Sequence, residues 1–363
     1  MFEIGIEEEF FLVKTENIGS LVSGSEEIIG IVPEEYKPYI DFEVYQCMIE
    51  LRTSKCNSIK ELMLDLNVKR KILNKLVQSR GMSVLGLGAY PYEFVDKINL
   101  TQKDRYITAE KNLPWVIRKV CVCGQHVHIG LENLENIIKA YTGIRTTIPE
   151  LIAISTNSPF WRGHLSGLKS TRRKLFEILP LTGIPPYFSG SEEFIDYFER
   201  LRRFGLLEHT GDLRWDIRPS LKYGTLEIRV FDVQYEQKMS IALAGFAQAL
   251  VLSIISDGFP VMPNSSYFES LIRYNCWEAT KNGICADYHD PFDNIKMPIS
   301  DKLLKTIDRL FPYANQLGSD DLLNYLYQKI TELKTGADEL ISLYKELGIE
   351  KSINHAIITS SNN

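Results

Sequence analysis

Three consecutive acids, Glu7, Glu8 and Glu9, interrupt an apolar run that includes Ile4, Ile6, Phe10, Phe11, Leu12 and Val13. Such a run reads as a buried strand, and burying carboxylates is costly. On a strand Glu7 and Glu9 point to one side and Glu8 to the other, which sets two ionised groups roughly 6 to 7 Å apart on one face. Left alone they would repel and their pKa values would rise. A hard cation held by oxygen ligands turns the same arrangement favourable. The competing reading is an exposed edge strand with solvated glutamates.

Three further stretches offer related chemistry. Residues 41–53 mix β-branched and aromatic residues with Glu43 and Glu50, and read as another strand with a bend or bulge between the two acids. Residues 120–131 alternate, so His126 and His128 share a face, where they either hold one bound group or form a hydrogen-bonded core pair. Residues 225–232 put Glu227 and Arg229 on one face, and the apolar flank of Leu226, Ile228, Val230 and Phe231 favours a covered site over a solvated ion pair. Residues 160–173 add a local basic patch, Arg162, Lys169, Arg172 and Arg173, which either meets an anion or is a solvated loop.

The elements that must position these groups are partly legible. Ser58-Ile59-Lys60-Glu61 has capping-box spacing, and apolar residues at helical intervals predict a helix over residues 59–80. A strand is expected over residues 82–89, a helix over 144–156 and an amphipathic helix over 191–204. A long apolar helix follows at 237–256. From about residue 267 the chain reads as mainly helical, with breaks at Pro291, Pro298 and Pro312 and a frayed tail at 360–363. Residues 14–25 read as a turn or mobile loop, whose ends approach the site; if the chain shields a reactive intermediate from water, segments near Ser23 or at 188–192 are the lids expected. Gly86-Leu87-Gly88 lacks the helix-opening glycine of a dinucleotide fingerprint, and no P-loop is present.

The chain has 363 residues, 44% of them hydrophobic and 24% charged, with a net charge of −6. This is the balance of a soluble globular protein, read here as a single domain over residues 1–363, with no general field to attract nucleic acid or an anionic membrane. The start of the chain lacks the features of a secretion signal, and the most apolar stretch, 241–255, is too short to span a bilayer. Six cysteines without a CxxC pair suit reduced thiols in a cytoplasm.

Taken in order, Gly5-Ile6-Glu7-Glu8-Glu9-Phe10, Met48-Ile49-Glu50-Leu51, Gly124-Gln125-His126-Val127-His128-Ile129-Gly130, Asn157-Ser158-Pro159-Phe160-Trp161-Arg162-Gly163 and Gly224-Thr225-Leu226-Glu227-Ile228-Arg229 form a set that resembles the glutamate-cysteine ligase type 2 family, bacterial carboxylate-amine ligases of the glutamine synthetase-like superfamily. The resemblance implies an α+β fold: a curved antiparallel sheet forming a half-open barrel, with helices packed on its outer side. It also implies ATP, two or three Mg2+ ions, a small carboxylic acid and an amine, with amino acids expected, and a homodimer. Glu7, His126 and Glu227 would hold the metal nearest the transferred phosphoryl group, and Glu9, Glu43 and Glu50 the metal nearer the acyl substrate. Arg229 would act catalytically on the γ-phosphate, beside His128 at the nucleotide phosphates. Arg218 is a candidate for the acid's second carboxylate, with an ion pair to Asp216 or Asp232 as the other reading. Arg52 departs from the family pattern, which has a small residue there; it would crowd the acyl pocket, bind an extra anion or pair with a glutamate. Two other outcomes remain: a guanidino kinase-like phosphotransferase, and a nucleotide-binding protein with a decayed site.

Overall fold

Alternating side chains build a seven-stranded antiparallel sheet. In chain order its strands are β1 (Ile4–Lys14), β2 (Ile40–Phe42), β3 (Met48–Arg52), β4 (Met82–Leu85), β5 (Gly124–Gly130), β6 (Ile217–Ser220) and β7 (Thr225–Asp232). Across the sheet they run β6-β7-β5-β1-β3-β2, and β4 pairs with the last residues of β1 beyond the point where β5 leaves it. The computed structural model describes residues 2–362 apart from 17–18, 94–97, 259–260 and 262–263.

The register fixes which side chains share a face. Arg218 lies opposite Glu227, Glu227 opposite His128, and His126 opposite Glu7. Glu7 lies in turn opposite Arg52, and Glu9 opposite Glu50, which itself faces Asp41. The other face carries Ile6, Phe10, Val127, Ile129, Leu226 and Ile228, all buried. Glu8 and its cross-strand partner Gln125 are polar on that face: Glu8 is neutralised by Arg70, whose Nε donates to it at 2.8 Å, and Gln125 Nε2 donates to Ser240 O at 2.8 Å.

Helices lie behind this face in two tiers. In chain order they include α1 (Ile59–Gln78), α2 (Leu134–Arg145), α3 (Ile148–Ser155), α4 (Ser191–Arg203), α5 (Gln237–Asp257), α6 (Ser266–Asn282), α7 (Ile299–Leu317), α8 (Asp320–Thr331), α9 (Gly336–Leu347) and α10 (Ile349–Asn362); α1, α2, α3, α5 and α10 pack on the strands, and the other five pack on those helices. Ser58 caps α1 by accepting from the Glu61 N–H at 3.2 Å, and Glu61 reaches back to the N–H of Asn57. Among the described residues α5 is the one helix long and apolar enough to cross a membrane, and it is buried inside the protein.

Several expectations are corrected. The helix expected over 144–156 is two helices, because Pro149 cannot continue α2; Thr146 and Thr147 turn the chain there and donate back to Gly143 and Ile144. The strand expected over 120–131 is confined to Gly124–Gly130, so Cys121 and Cys123 precede it as buried free thiols. Pro312 lies inside α7 instead of breaking it, since Leu303, Ile307, Leu310 and Ala314 keep one buried stripe across it. Pro291 and Pro298 do mark boundaries, around a hairpin of Asp287–Asp290 and Ile295–Pro298 whose charged composition hid its strands.

Of the tail expected to fray at 360–363, residue 363 lies outside the described residues; Ser360 is 1% exposed, its hydroxyl accepts from Gly86 N–H at 3.1 Å, and its carbonyl accepts from Asn74, so α10 is docked as far as it is described. Of residues 14–25, expected as a turn or mobile loop, 17–18 lie outside the described residues; Lys14 ends β1, residues 15, 16 and 19 form turns, and Val22 N–H returns to Leu12 O at 3.0 Å.

Candidate active site

The polar face of the sheet gathers the expected acids into two groups. One ligand atom each from Glu7, His126 and Glu227 lie within 4.8 Å of one another, and so do one each from Glu9, Glu43 and Glu50. The first group comes from β1, β5 and β7, the second from β1, β3 and the turn after β2. His126 stands between them: its Nδ1 is 3.2 Å from Glu7 and 3.8 Å from Glu227, while its Nε2 is 3.8 Å from Glu9. Backbone support completes the frame. Gly124 N–H donates to Glu9 at 2.6 Å, and Val44 N–H to Glu43 at 2.9 Å.

Cations neutralise these acids unequally. Arg229 forms an ion pair with one oxygen of Glu227 and points Nη1 at His126 Nδ1, 3.4 Å away. Arg218 sends Nε and Nη2 to the other oxygen of Glu227 at 2.9 and 2.7 Å. Its carboxylate partner is therefore Glu227; Asp216 is taken by Arg173, and Asp232 by Asn157, Ser158 and Ser170. Arg52 spans Glu50 and Asp41. His128 accepts or donates at Thr225 Oγ1, 3.0 Å away, and leaves a buried Nε2 with no hydrogen-bond partner 3.5 Å from Glu7.

The protonation equilibria follow. Burial resists ionisation of Glu227, yet Arg229, His128 and Arg218 overcome it and hold the carboxyl at about 2. Glu7 is likewise held well below the usual range, because His126 and His128 outweigh its burial. Glu50 moves the other way: burial, then Glu7 and Glu43, push it well up despite Arg52. Burial and Arg229 keep His126 neutral, whereas Glu227 and Glu7 raise His128 against its burial.

This donor set fits divalent cations of the hard, oxygen-preferring kind. Five carboxylates and one neutral imidazole converge without a thiolate ligand. Beside it, an open cavity of about 340 Å³ is lined by Glu7, Tyr39, Arg52, Thr53, His128 and Tyr223, among others.

Two supporting residues escaped the sequence reading as site components. Arg172 is buried beneath the bulge that separates Ile228 from Phe231, where its Nη2 donates to Arg229 O at 3.2 Å. Gly124 makes room for it, since a Cβ there would lie 2.3 Å from Arg172 Nη2 and 3.1 Å from His126 Nε2. A glycine opening the alternating run was the visible signal; the bulge had none. The basic patch is accordingly no solvated loop at Arg172 and Arg173, both buried.

A protein of Rubrobacter xylanophilus, provisionally named glutamate–cysteine ligase 2-1, is 30% identical over 348 residues, covering 96% of this chain and 91% of its own. One of Legionella pneumophila, provisionally named glutamate–cysteine ligase 2-2, is 29% identical over 346 residues, 95% of this chain and 90% of its own. In fold, the chain is similar to the glutamate–cysteine ligase of Francisella tularensis solved in complex with AMP, with a TM-score of 0.71 at 14% identity over 99% of this chain and 88% of that one. It is also similar to a bifunctional glutathione synthetase of Pasteurella multocida, with a TM-score of 0.74 at 14% identity over 99% of this chain and 52% of that one. Residues 3–355 match the model of Glutamate-cysteine ligase family 2 (GCS2), and the chain belongs to that family.

Proposed function

We propose that this chain is an ATP- and Mg2+-dependent carboxylate–amine ligase, a single catalytic domain whose open sheet is the half-open barrel of the glutamine synthetase-like type. The observation that carries the reading is the meeting of Glu7, His126 and Glu227 with Glu9, Glu43 and Glu50 on one sheet face, with Arg229 against the first group. A hydrophobic core running without interruption from Ile4 to Ile357 supports the single domain.

In this reading an oxygen of the acid attacks the γ-phosphorus of ATP, the bond to the bridging oxygen breaks, and ADP leaves. The amine then attacks the acyl carbon and phosphate departs, giving the amide. Glu7, His126 and Glu227 would hold one cation and Glu9, Glu43 and Glu50 another; when bound, the cations supply charge neutralisation at the β- and γ-phosphate oxygens. Arg229, fixed by Glu227, faces the charge that develops on the transferred group. His128 lies on the wall of the 340 Å³ cavity, where its Nε2, 3.5 Å from Glu7 and without a formed hydrogen bond, suits a phosphate oxygen of the nucleotide. Arg52, on the cavity wall, is a guanidinium open to a further carboxylate of the acid, whereas Arg218 would have to give up Glu227 or a backbone carbonyl to meet one. Glutamate and cysteine are the first acid and amine to try, on the strength of the relatives' names.

The test is incubation with ATP, Mg2+ and pools of amino acids and amines, with products separated by mass. Stoichiometric ADP, phosphate and an amide are expected. A phosphorylated guanidine without an amide would overturn the proposal in favour of a phosphotransferase.

A further inference from the structure

Arg52 stands directly opposite Glu7 in the β1–β3 ladder, and its side chain turns along the same face to Glu50 and across it to Asp41. Nε pairs with one Glu50 oxygen, and Nη2 donates to Asp41 Oδ2 at 2.7 Å. Among the described residues Arg52 is the cation paired with Glu50, so it neutralises one of the three carboxylates in the group formed with Glu9 and Glu43. A divalent cation seated among those three needs a Glu50 oxygen for itself and repels a guanidinium at that distance.

The arginines of the first group are held differently. Arg218 is wedged by Gly211 and Leu213 carbonyls at 2.6 and 3.1 Å, and Arg229, its side chain 14% exposed, is held by Glu227 beside His126. Arg52 has somewhere to go. Its side chain is 29% exposed, it lines the 340 Å³ cavity, and it already touches Asp41, which Lys103 shares at 2.9 Å.

We infer that Arg52 is a displaceable counter-ion, occupying Glu50 while the Glu9, Glu43 and Glu50 group is empty, competing with the incoming cation for it, and moving onto Asp41 and the cavity wall as the cation binds. This makes Arg52 a positioning residue: cation binding turns a guanidinium from an internal carboxylate toward the cavity, where an anionic substrate group would meet it. The inference rests on the metal-site reading of the proposed function.

The test is titration of the intact protein with Mn2+ alone, followed by electron paramagnetic resonance, for wild type, Arg52→Gln, Glu50→Gln and the double variant, with thermal unfolding as the check of folding. Arg52→Gln should bind Mn2+ about five-fold more tightly, the scale of losing one partly exposed ion pair. The tightening should vanish in the Glu50→Gln background, because the competition acts through that carboxylate. Unchanged or weaker binding by folded Arg52→Gln overturns the inference alone, and so does equal tightening in both backgrounds, which would be a diffuse charge effect. Failure of wild type and Arg52→Gln alike to bind Mn2+ overturns the metal site and the inference together. Should Arg52→Gln not fold, Arg52→Lys, which keeps the charge but not the fork spanning Glu50 and Asp41, must still tighten binding by a smaller factor.

Discussion

Glu9 and Glu50 face each other as direct cross-strand partners of the β1–β3 ladder, two carboxylates on the same side of the sheet. Like charges so placed destabilise a sheet, and burial, then Glu7 and Glu43, with Glu9 adding least, push the Glu50 carboxyl up despite Arg52. Glu50→Gln should therefore stabilise the cation-free protein by about 1 kcal/mol, the gain common when a functional strain is relieved. Mg2+ should raise the unfolding temperature of wild type more than that of the variant. Thermal unfolding in chelator and in Mg2+ checks both; a variant less stable than wild type in chelator would show that the pair is not a source of strain.

Arg229 combines two duties that mutation can separate. Arg229→Ala should lower turnover about 10²- to 10³-fold, as expected for loss of a group on transition-state charge. Stability should fall by only about 2 kcal/mol, less than for an orphaned buried carboxylate, because Arg218 still neutralises Glu227. Steady-state kinetics beside urea unfolding give the two numbers. Turnover within three-fold of wild type would remove Arg229 from the chemistry.

Much of the site was legible because strand alternation is a strict rule. Once Glu7, His126 and Glu227 are each read onto strands, their faces follow, and the register then brings them together. Arg172 was not legible as part of the site, since its approach depends on a bulge between β5 and β7 that no local pattern announces. Pro312 and Ser360 failed for a related reason: each is decided by packing against distant segments, the stripe of α7 in one case and Gly86 and Asn74 in the other. Arg52 was legible as an anomaly, and of the three roles open to it the structure shows pairing, with Glu50 and Asp41.

The site also depends on what lies behind the sheet. Glu8, between Glu7 and Glu9 on β1, is fully buried and held by Arg70, which also donates to Gln234 O at 3.1 Å and Ser240 Oγ at 3.0 Å. Arg70→Met should cost about 3 to 5 kcal/mol, since it leaves a buried carboxylate unpaired. Restoring neutrality with Glu8→Gln in the same chain should recover part of it. Denaturant unfolding of the two variants decides this, and no recovery in the double variant would assign the loss to Gln234 and Ser240 instead.

Glu150 in α3 gives the protein a pH dependence away from the site. It is buried, accepts from Thr306 Oγ1 at 2.6 Å, and is influenced by Lys302 and Asp290 in opposite directions. Burial dominates and pushes its carboxyl up from 4.5 to about 7. Between those values the folded chain keeps a proton that the unfolded chain has lost, so stability falls as pH rises through this window and levels off above about 7. The full penalty at pH 8 is about 3 kcal/mol relative to the neutral acid, taking about 1.4 kcal/mol per pH unit. Glu150→Gln keeps the acceptor oxygen for Thr306 but cannot ionise. It should match wild type near pH 5 and exceed it at pH 8, in urea unfolding run at both values. Parallel pH profiles for the two proteins would mean that Glu150 is ionised in the fold, with Lys302 supplying enough field to offset its burial.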